Sequence, residues 1–353
     1  MADSAAATIE TASGLADGGF DVAALDNFLR ARLPDFAGPI KLEPAAGGMS
    51  NPTFFLTAGD RRLVLRKKPP VQLSAAAHRI DREYRLLEAL SGSDVPVPAP
   101  VLFCDDETIV GTPFYLMERL EGVVTHDYAL PCLPADVKGR AFASMAETLA
   151  AIHRFDWRGA GLENFGKPGN YFERQLGGWS KQWGQFGITG NSDVDRLQNW
   201  LVAHMPADDG CATIAHGDFR VANVMFRLDG SVSGVFDWEL ATIGHPLADL
   251  GFCLQGWLLA PDENGGLAGL DIAAMGIPSA RDFVAAYHAA APDIPPLAAF
   301  HIAFAMYRAA VGVSGVAVRA EAGAVPDPSA AAEAHRFARA YARAGLHAIE
   351  NWD

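Results

Sequence analysis

The residues best suited to chemistry lie between His216 and Glu239, in the run H-G-D-F-R-V-A-N-V-M-F-R-L-D-G-S-V-S-G-V-F-D-W-E. Asp218 is followed five residues on by Asn223, and fourteen residues later by a second aspartate, Asp237. That set suits magnesium-dependent phosphoryl transfer. Mg²⁺ takes one or two protein oxygens and fills its other positions with water and nucleotide phosphate, so Asn223 and Asp237 suffice as ligands. Asp218 is then left to orient an attacking hydroxyl and accept its proton. Together with His245 beyond it, the stretch leaves a second chemistry open, a metal-dependent hydrolase built on His216, Asp218, Asp237 and His245 that needs no nucleotide. Against it, His216 reads as a brace for the loop, and His245, in Gly-His-Pro, as a turn residue.

The elements that must position these groups are legible from pattern. Val224 to Leu228 and Ser231 to Phe236 read as strands around Asp229-Gly230, the signal of a hairpin with a type I′ turn. Pairing Leu228 with Ser231 sets Asn223 opposite Phe236. The side chains of Asn223 and Asp237 then emerge together at the open end, with Asp218 in the loop that leads there.

H-G-D-x-x-x-x-N followed by D-W-E resembles the catalytic motif of the aminoglycoside phosphotransferase and choline kinase superfamily, which shares the protein-kinase fold. The resemblance implies an α+β, two-lobed protein-kinase-like fold: a small β-rich N-lobe over residues 21–120 and a larger, mainly helical C-lobe over 121–353. It implies ATP and Mg²⁺ as cofactors and a small-molecule hydroxyl as acceptor. In L-V-L-R, Leu63 and Leu65 alternate with Val64 and Arg66. Arg66 thus falls where the kinase strand V-A-I-K holds its phosphate-binding lysine. The superfamily generally has lysine there, and Lys68, on the same face, is the second candidate. Glu83, in a helix expected over His78 to Leu90, would pair with Arg66. Gly47-Gly48-Met49-Ser50-Asn51 could fold over phosphates, with Ser50 and Asn51 the polar members. Phe114 to Met117 would be the last strand of the N-lobe, and Glu118 to Leu120 the hinge that meets adenine, so Met117 and Glu118 join the nucleotide site. Asp249, in A-D-L-G, stands where the superfamily holds its catalytic loop.

A narrower resemblance spans residues 40–320. R-Q-x-x-x-W at Arg174 to Trp179, L-R-K-K-P, R-E-Y-R-L-L, V-P-V-P, G-T-P-F-Y-L-M-E and M-Y-R-A-A look like the phosphotransferase-like domain of the acyl-CoA dehydrogenase 10 and 11 proteins and their free-standing bacterial relatives. That subgroup implies a hydroxyacyl-CoA as acceptor and partners among acyl-CoA dehydrogenase-linked pathway enzymes. An antibiotic kinase of the aminoglycoside type is the alternative on the same fold. Tyr171, Arg174 and Arg308 are the candidates on the acceptor side, although aromatics at helical spacing also read as simple packing. Arg308 and Arg319, in apolar surroundings, are expected to pair with internal carboxylates.

Composition narrows the setting. The chain has 353 residues, half of them hydrophobic and a fifth charged, enough for a sizeable core. Its net charge of −14 argues against a nucleic-acid partner, which calls for a basic face. Cys104, Cys132, Cys211 and Cys253 show neither C-x-x-C nor paired-histidine spacing, as expected of a reduced, cytoplasmic protein. The first twenty residues, 1–20, carry no Lys or Arg and read as a loose leader without a targeting signal. The most apolar stretch, Pro296 to Val318, contains His301 and Arg308, so a buried helix explains it better than a membrane span.

Helices are expected over Asp21 to Arg32, Ala135 to Arg154, 297–318 and 329–350. His153 reads as a helix C-terminal residue matched to the dipole. Ser279 and Asp282 read as a capping pair.

Overall fold

Alternating apolar side chains build the smaller of two units. In the computed structural model, which describes residues 21–45, 51–69, 79–188, 192–323 and 329–353, the described residues up to Ser91 together with Pro98–Leu120 form one unit, and Gly92–Val97 with the described residues from Glu121 to Asp353 the other. The expected leader, Ser50 with the Gly-Gly loop before it, and His78 lie outside the described residues.

The smaller unit contains α1 (Val22–Arg32), β1 (Ile40–Pro44), β2 (Thr53–Ala58), β3 (Arg61–Lys67), α2 (Ile80–Leu90), β4 (Pro100–Cys104), α3 (Glu107–Val110) and β5 (Phe114–Glu118). Its strands form one antiparallel sheet in the order β1-β2-β3-β5-β4. In β2 every second residue is buried, Phe54, Leu56 and Ala58. Leu63 and Leu65 join them in a core closed by Leu25 and Leu29 of α1. Each such leucine contributes about 2 kcal/mol by leaving water. The opposite face carries α2, where Tyr84 packs on Tyr115 with ring centroids 5.7 Å apart. The period of two also sorts the cations. Lys67 turns to the core side, is buried, and donates from Nζ to Val110 O at 2.5 Å. Burial lowers its pKa. Arg66 turns to the α2 side.

The larger unit contains α4 (Ala135–Arg154), α5 (Tyr171–Phe186), α6 (Ser192–Ala203), β6 (Thr213–Ala215), β7 (Val224–Phe226), β8 (Val232–Val235), β9 (Thr242–Gly244), α7 (Pro246–Cys253), α8 (Gln255–Leu258), α9 (Ala280–Ala290), α10 (Ala299–Glu321) and α11 (Ala330–Asn351). α10 is long and apolar enough to cross a membrane, yet most of it is buried, packed on α5, α6, α7 and α11. It is the core of this unit. α9 starts at the expected capping box: Ser279 Oγ accepts from Asp282 N while Asp282 Oδ2 accepts from Ser279 N.

The hairpin β7–β8 departs from expectation at its tip and agrees at its mouth. Asp229 does not adopt the positive φ that a type I′ turn demands; Gly230 does, at +86°. The loop therefore has three residues, closed by Arg227 N donating to Ser231 O. That would shift every pair by one. A bulge at Ser233 restores the count, because Phe226 pairs with Val232 but Met225 with Gly234. At the mouth Phe236 N donates to Asn223 O at 2.9 Å, the pairing expected from the sequence.

Candidate active site

β6 delivers the chain to His216, and β9 returns beside it, with Ala215 opposite Thr242. Gly217 between them has φ +84°, and a Cβ there would lie 2.8 Å from Leu240 O, so only glycine fits. The turn is held from below by Asp249 of α7, fully buried. Its Oδ2 accepts from His216 N at 2.5 Å and its Oδ1 from Gly217 N at 2.9 Å. Burial alone would raise this carboxyl's pKa; the hydrogen bond from His153 and the charges of His153 and Arg308 outweigh it and hold the pKa below the ordinary value. His153 is itself buried, its Nδ1 2.6 Å from the Tyr287 hydroxyl. It is thus a post behind Asp249, a role that reading it as a dipole-matched helix end did not reach.

His216 braces the loop as expected. Its Nε2 donates to Phe236 O at 2.9 Å and its Nδ1 accepts from Asp218 N at 3.2 Å, which defines the neutral tautomer. One imidazole thereby ties Asp218 to the strand end ahead of Asp237. His245 caps α7 through Nδ1 and reaches Asp209 through Nε2 at 3.2 Å. Both nitrogens of both histidines are engaged, and among the described residues no group of three or more His, Cys, Asp or Glu side chains could hold a metal ion. The hydrolase alternative lacks its ligand set.

Asp218 is gripped from two sides. Asn223 Nδ2 donates to Asp218 Oδ2 at 2.7 Å and to its carbonyl at 2.8 Å. Arg220 Nε stands 3.4 Å from Asp218 Oδ1. Burial disfavours the arginine's charge, but Asp218 and the phenols of Tyr128 and Tyr341 keep its pKa above the ordinary value. Arg220 was missed in the sequence, though its place two residues after Asp218 was a signal. Asp237 follows the hairpin mouth in the left-handed region at φ +62°, unusual for a non-glycine residue. Asn223 spends its amide N–H groups on Asp218, which leaves Oδ1 for a ligand. An amide oxygen and a carboxylate are hard donors of the kind Mg²⁺ prefers.

Asp218 opens on a cavity of about 420 Å³, lined also by Arg220, Arg308, Tyr171, Trp179 and Phe337 among others. Among the described lining residues Asp218 is the single carboxylate. Arg308 does not pair with an internal carboxylate as expected. Its Nη2 donates to Gly217 O at 2.5 Å and its guanidinium lies 4.9 Å from the Phe252 ring centroid. Arg319 is exposed. Arg174 stands apart from the cavity, exposed, with Nη2 on Lys167 O at 2.6 Å. The face of α5 that lines the cavity is Tyr171, Gln175 and Trp179, a spacing of four that leaves Arg174 on the flank.

In the smaller unit Arg66 Nε donates to Glu83 Oε2 at 3.0 Å, with Glu83 4% and Arg66 11% exposed, so the pair is not a solvated surface contact. Arg66 Nη1 lies 3.4 Å from Thr53 Oγ1, and Thr53 Oγ1 donates to the carbonyl of buried Asn51. Met117 is buried and pairs across from Val64. Glu118 is ion-paired with Arg61 at 2.9 Å. The N–H groups of Glu118 and Arg119 already donate to Ala99 O and Arg62 O, so Leu120 is the next backbone donor along.

A profile described as the phosphotransferase enzyme family matches residues 41–300. The chain belongs to this family. It is 37% identical over 308 residues to acyl-CoA dehydrogenase family member 10 of Mus musculus, covering 85% of this chain but 28% of the mouse protein, so it spans under a third of that relative's length. A Ralstonia eutropha structure, called an aminoglycoside phosphotransferase by assignment, shares 36% identity and superposes with a TM-score of 0.84, covering 94% of this chain and 98% of that one. An aminoglycoside phosphotransferase solved with AMP-PNP and hygromycin B has a TM-score of 0.59 at 18% identity over 91% of this chain, a likeness of fold alone. The fold is that of the kinase-like superfamily, and the chain is a small-molecule phosphotransferase.

Proposed function

We propose that this chain transfers the γ-phosphoryl group of ATP to a hydroxyl of a small molecule, with Mg²⁺ held by Asn223 and Asp237, and that the acceptor is a hydroxyacyl-CoA. The observation that carries the reaction class is the grip on Asp218: Asn223 on one carboxylate oxygen, Arg220 beside the other, and the carboxylate at the wall of a cavity large enough for an acceptor. Held there, Asp218 orients the hydroxyl and takes its proton as the oxygen–phosphorus bond forms. Mg²⁺, when bound, neutralises charge on the phosphate oxygens. Arg66, braced by Glu83, serves the α- and β-phosphates, with Asn51, Met117 and Glu118 the other described candidates for nucleotide contact.

The acceptor reading draws on the name of the mouse relative and on the cavity. A polycationic aminosugar calls for carboxylates, whereas this cavity offers one, Asp218, against Arg220 and Arg308. Two arginines among aromatic walls suit an acceptor that is anionic or neutral with apolar parts. A net charge of −14 and unpaired cysteines accord with a cytoplasmic enzyme.

The test is ADP release from Mg-ATP with 3- and 4-hydroxyacyl-CoAs beside kanamycin and choline. Stimulation by a hydroxyacyl-CoA is expected. Stimulation by kanamycin alone would overturn the acceptor class. Arg66→Lys keeps the charge but loses the planar donor set that reaches Glu83 and Thr53 together. It is expected to raise KM for ATP by about tenfold with little change in KM for the acceptor. Initial rates with each substrate varied in turn check this, and an unchanged KM for ATP would remove Arg66 from the phosphate site.

A further inference from the structure

α10 lines the cavity through Arg308, Ala309, Gly312 and Val313, one stripe of the helix. α5 faces it through Tyr171, Gln175 and Trp179. The two helices run the same way: the Tyr171 and Phe304 rings lie 6.3 Å apart, the Tyr307 hydroxyl is 3.4 Å from Ser180 Oγ, and Phe186 lies against Gly315. The cavity therefore has a direction. Its near end is Tyr171, Arg308 and the Gly217 carbonyl, beside Asp218. Further on come Gly312, four residues and about 6 Å along α10 from Arg308, and Trp179, eight residues and about 12 Å along α5 from Tyr171.

Gly312 is the anomaly of that far end. Glycine is the poorest helix former after proline, so in mid-helix it needs a reason. The buried helical glycines nearby have one. A Cβ at Gly251 would meet His301 O at 2.6 Å, at Gly315 the Phe186 ring at 3.1 Å, and at Gly345 the Leu197 side chain at 2.6 Å. At Gly312 it would meet nothing within 4 Å. Gly177, Gly178 and Gly184 of α5 also have open space, but they are exposed, and their space is solvent. Gly312, by contrast, lines the acceptor cavity, whose walls also include Trp179, Val313 and Phe337.

We infer that the acceptor carries an apolar tail that runs from its reacting hydroxyl along α10 toward Trp179, and that the missing side chain at Gly312 sets how bulky that tail can be. The inference rests on the phosphotransfer reading for its kinetic arm. Its other arm, the absence of any packing role for the glycine, stands on geometry alone.

Both arms are tested on the full chain with Gly312→Ala and Gly312→Leu. For kinetics, 4-hydroxyacyl-CoAs with tails from methyl to octyl serve as acceptors. In Gly312→Leu the ratio of kcat/KM for the octyl over the methyl tail is expected to fall by about tenfold or more, since a single misfitting methylene already discriminates by that order. An unchanged ratio overturns the inference while leaving the acceptor class intact. For melting, Gly312→Ala is expected to raise Tm by about 2 °C, because alanine fits the space and favours the helix. A fall in Tm would mean that the glycine is there for packing, which overturns the inference whatever the acceptor. If the wild type turns over none of the series, the acceptor class proposed above falls, and the melting result alone sustains or overturns the role of Gly312.

Discussion

Asp218→Asn is expected to lower kcat for phosphotransfer by about 10³-fold to 10⁴-fold while leaving ATP binding within about threefold of the wild type. General-base catalysis by a positioned carboxylate contributes about 10²-fold to 10⁴-fold, and loss of orientation adds to it. The amide cannot accept the hydroxyl's proton, and it also removes the charge that faces Arg220, 3.4 Å away. Stability should change little, because Asp218 is a quarter exposed and the amide oxygen of the variant can still accept from Asn223. The measurement is single-turnover phosphotransfer with ATP binding followed by calorimetry. A loss in kcat of less than about tenfold would move the proton acceptor elsewhere and leave Asp218 a positioning residue.

The contrast between Asp218 and its surroundings shows what a sequence can and cannot disclose. The pairing of Asn223 with Phe236 was legible because strand alternation is local and its period is two. The turn that produces it was not. Asp229-Gly230 suggested two turn residues, the loop has three, and the bulge at Ser233 absorbs the difference. The mouth came out right because two errors of one residue cancel. Arg66 was separated from Lys67 by the same alternation, and the structure turns them to opposite faces of β3, one to Glu83 and one to Val110 O.

Helices are harder to read, because a period of 3.6 gives a stripe without its direction. Tyr171, Arg174 and Gln175 all lie on one side of α5, and the sequence offers no reason to prefer Gln175 over Arg174. The choice is made by α10, whose residues rotate Gln175 and Trp179 into the cavity and leave Arg174 on Lys167 O. His153 and Tyr287 were invisible for a related reason. They lie 134 residues apart and meet at 2.6 Å only because α4 and α9 pack together. Arg220 was nearer to hand, yet its charge carries meaning only once the buried phenols around it are known.

Asp249→Asn is expected to be the most destabilising of the single substitutions considered, lowering Tm by about 10 °C. Asp249 is fully buried and accepts from two consecutive backbone N–H groups, His216 and Gly217, while His153 stands 3.5 Å from Oδ2. An asparagine must turn one amide N–H toward a backbone N–H, leaving a buried donor unsatisfied beside another. Breaking such a buried charged network costs about 3–5 kcal/mol, and each kcal/mol is worth about 2–4 °C for a chain somewhat shorter than this one. The acid side gives an independent check. Because the folded-state pKa of Asp249 lies below the ordinary value, its contribution is present above the unfolded pKa of about 4 and is lost as pH falls through the lower folded value. The wild type should therefore lose stability below about pH 4 more steeply than Asp249→Asn, and the two curves should converge in acid. Thermal melts from pH 3 to pH 7 measure this directly. Parallel curves would mean that the carboxylate does not hold the turn by its charge. Activity in the variant should fall with the loop even at temperatures where the fold survives, since the turn that carries Asp218 hangs from Asp249 through His216 N and Gly217 N.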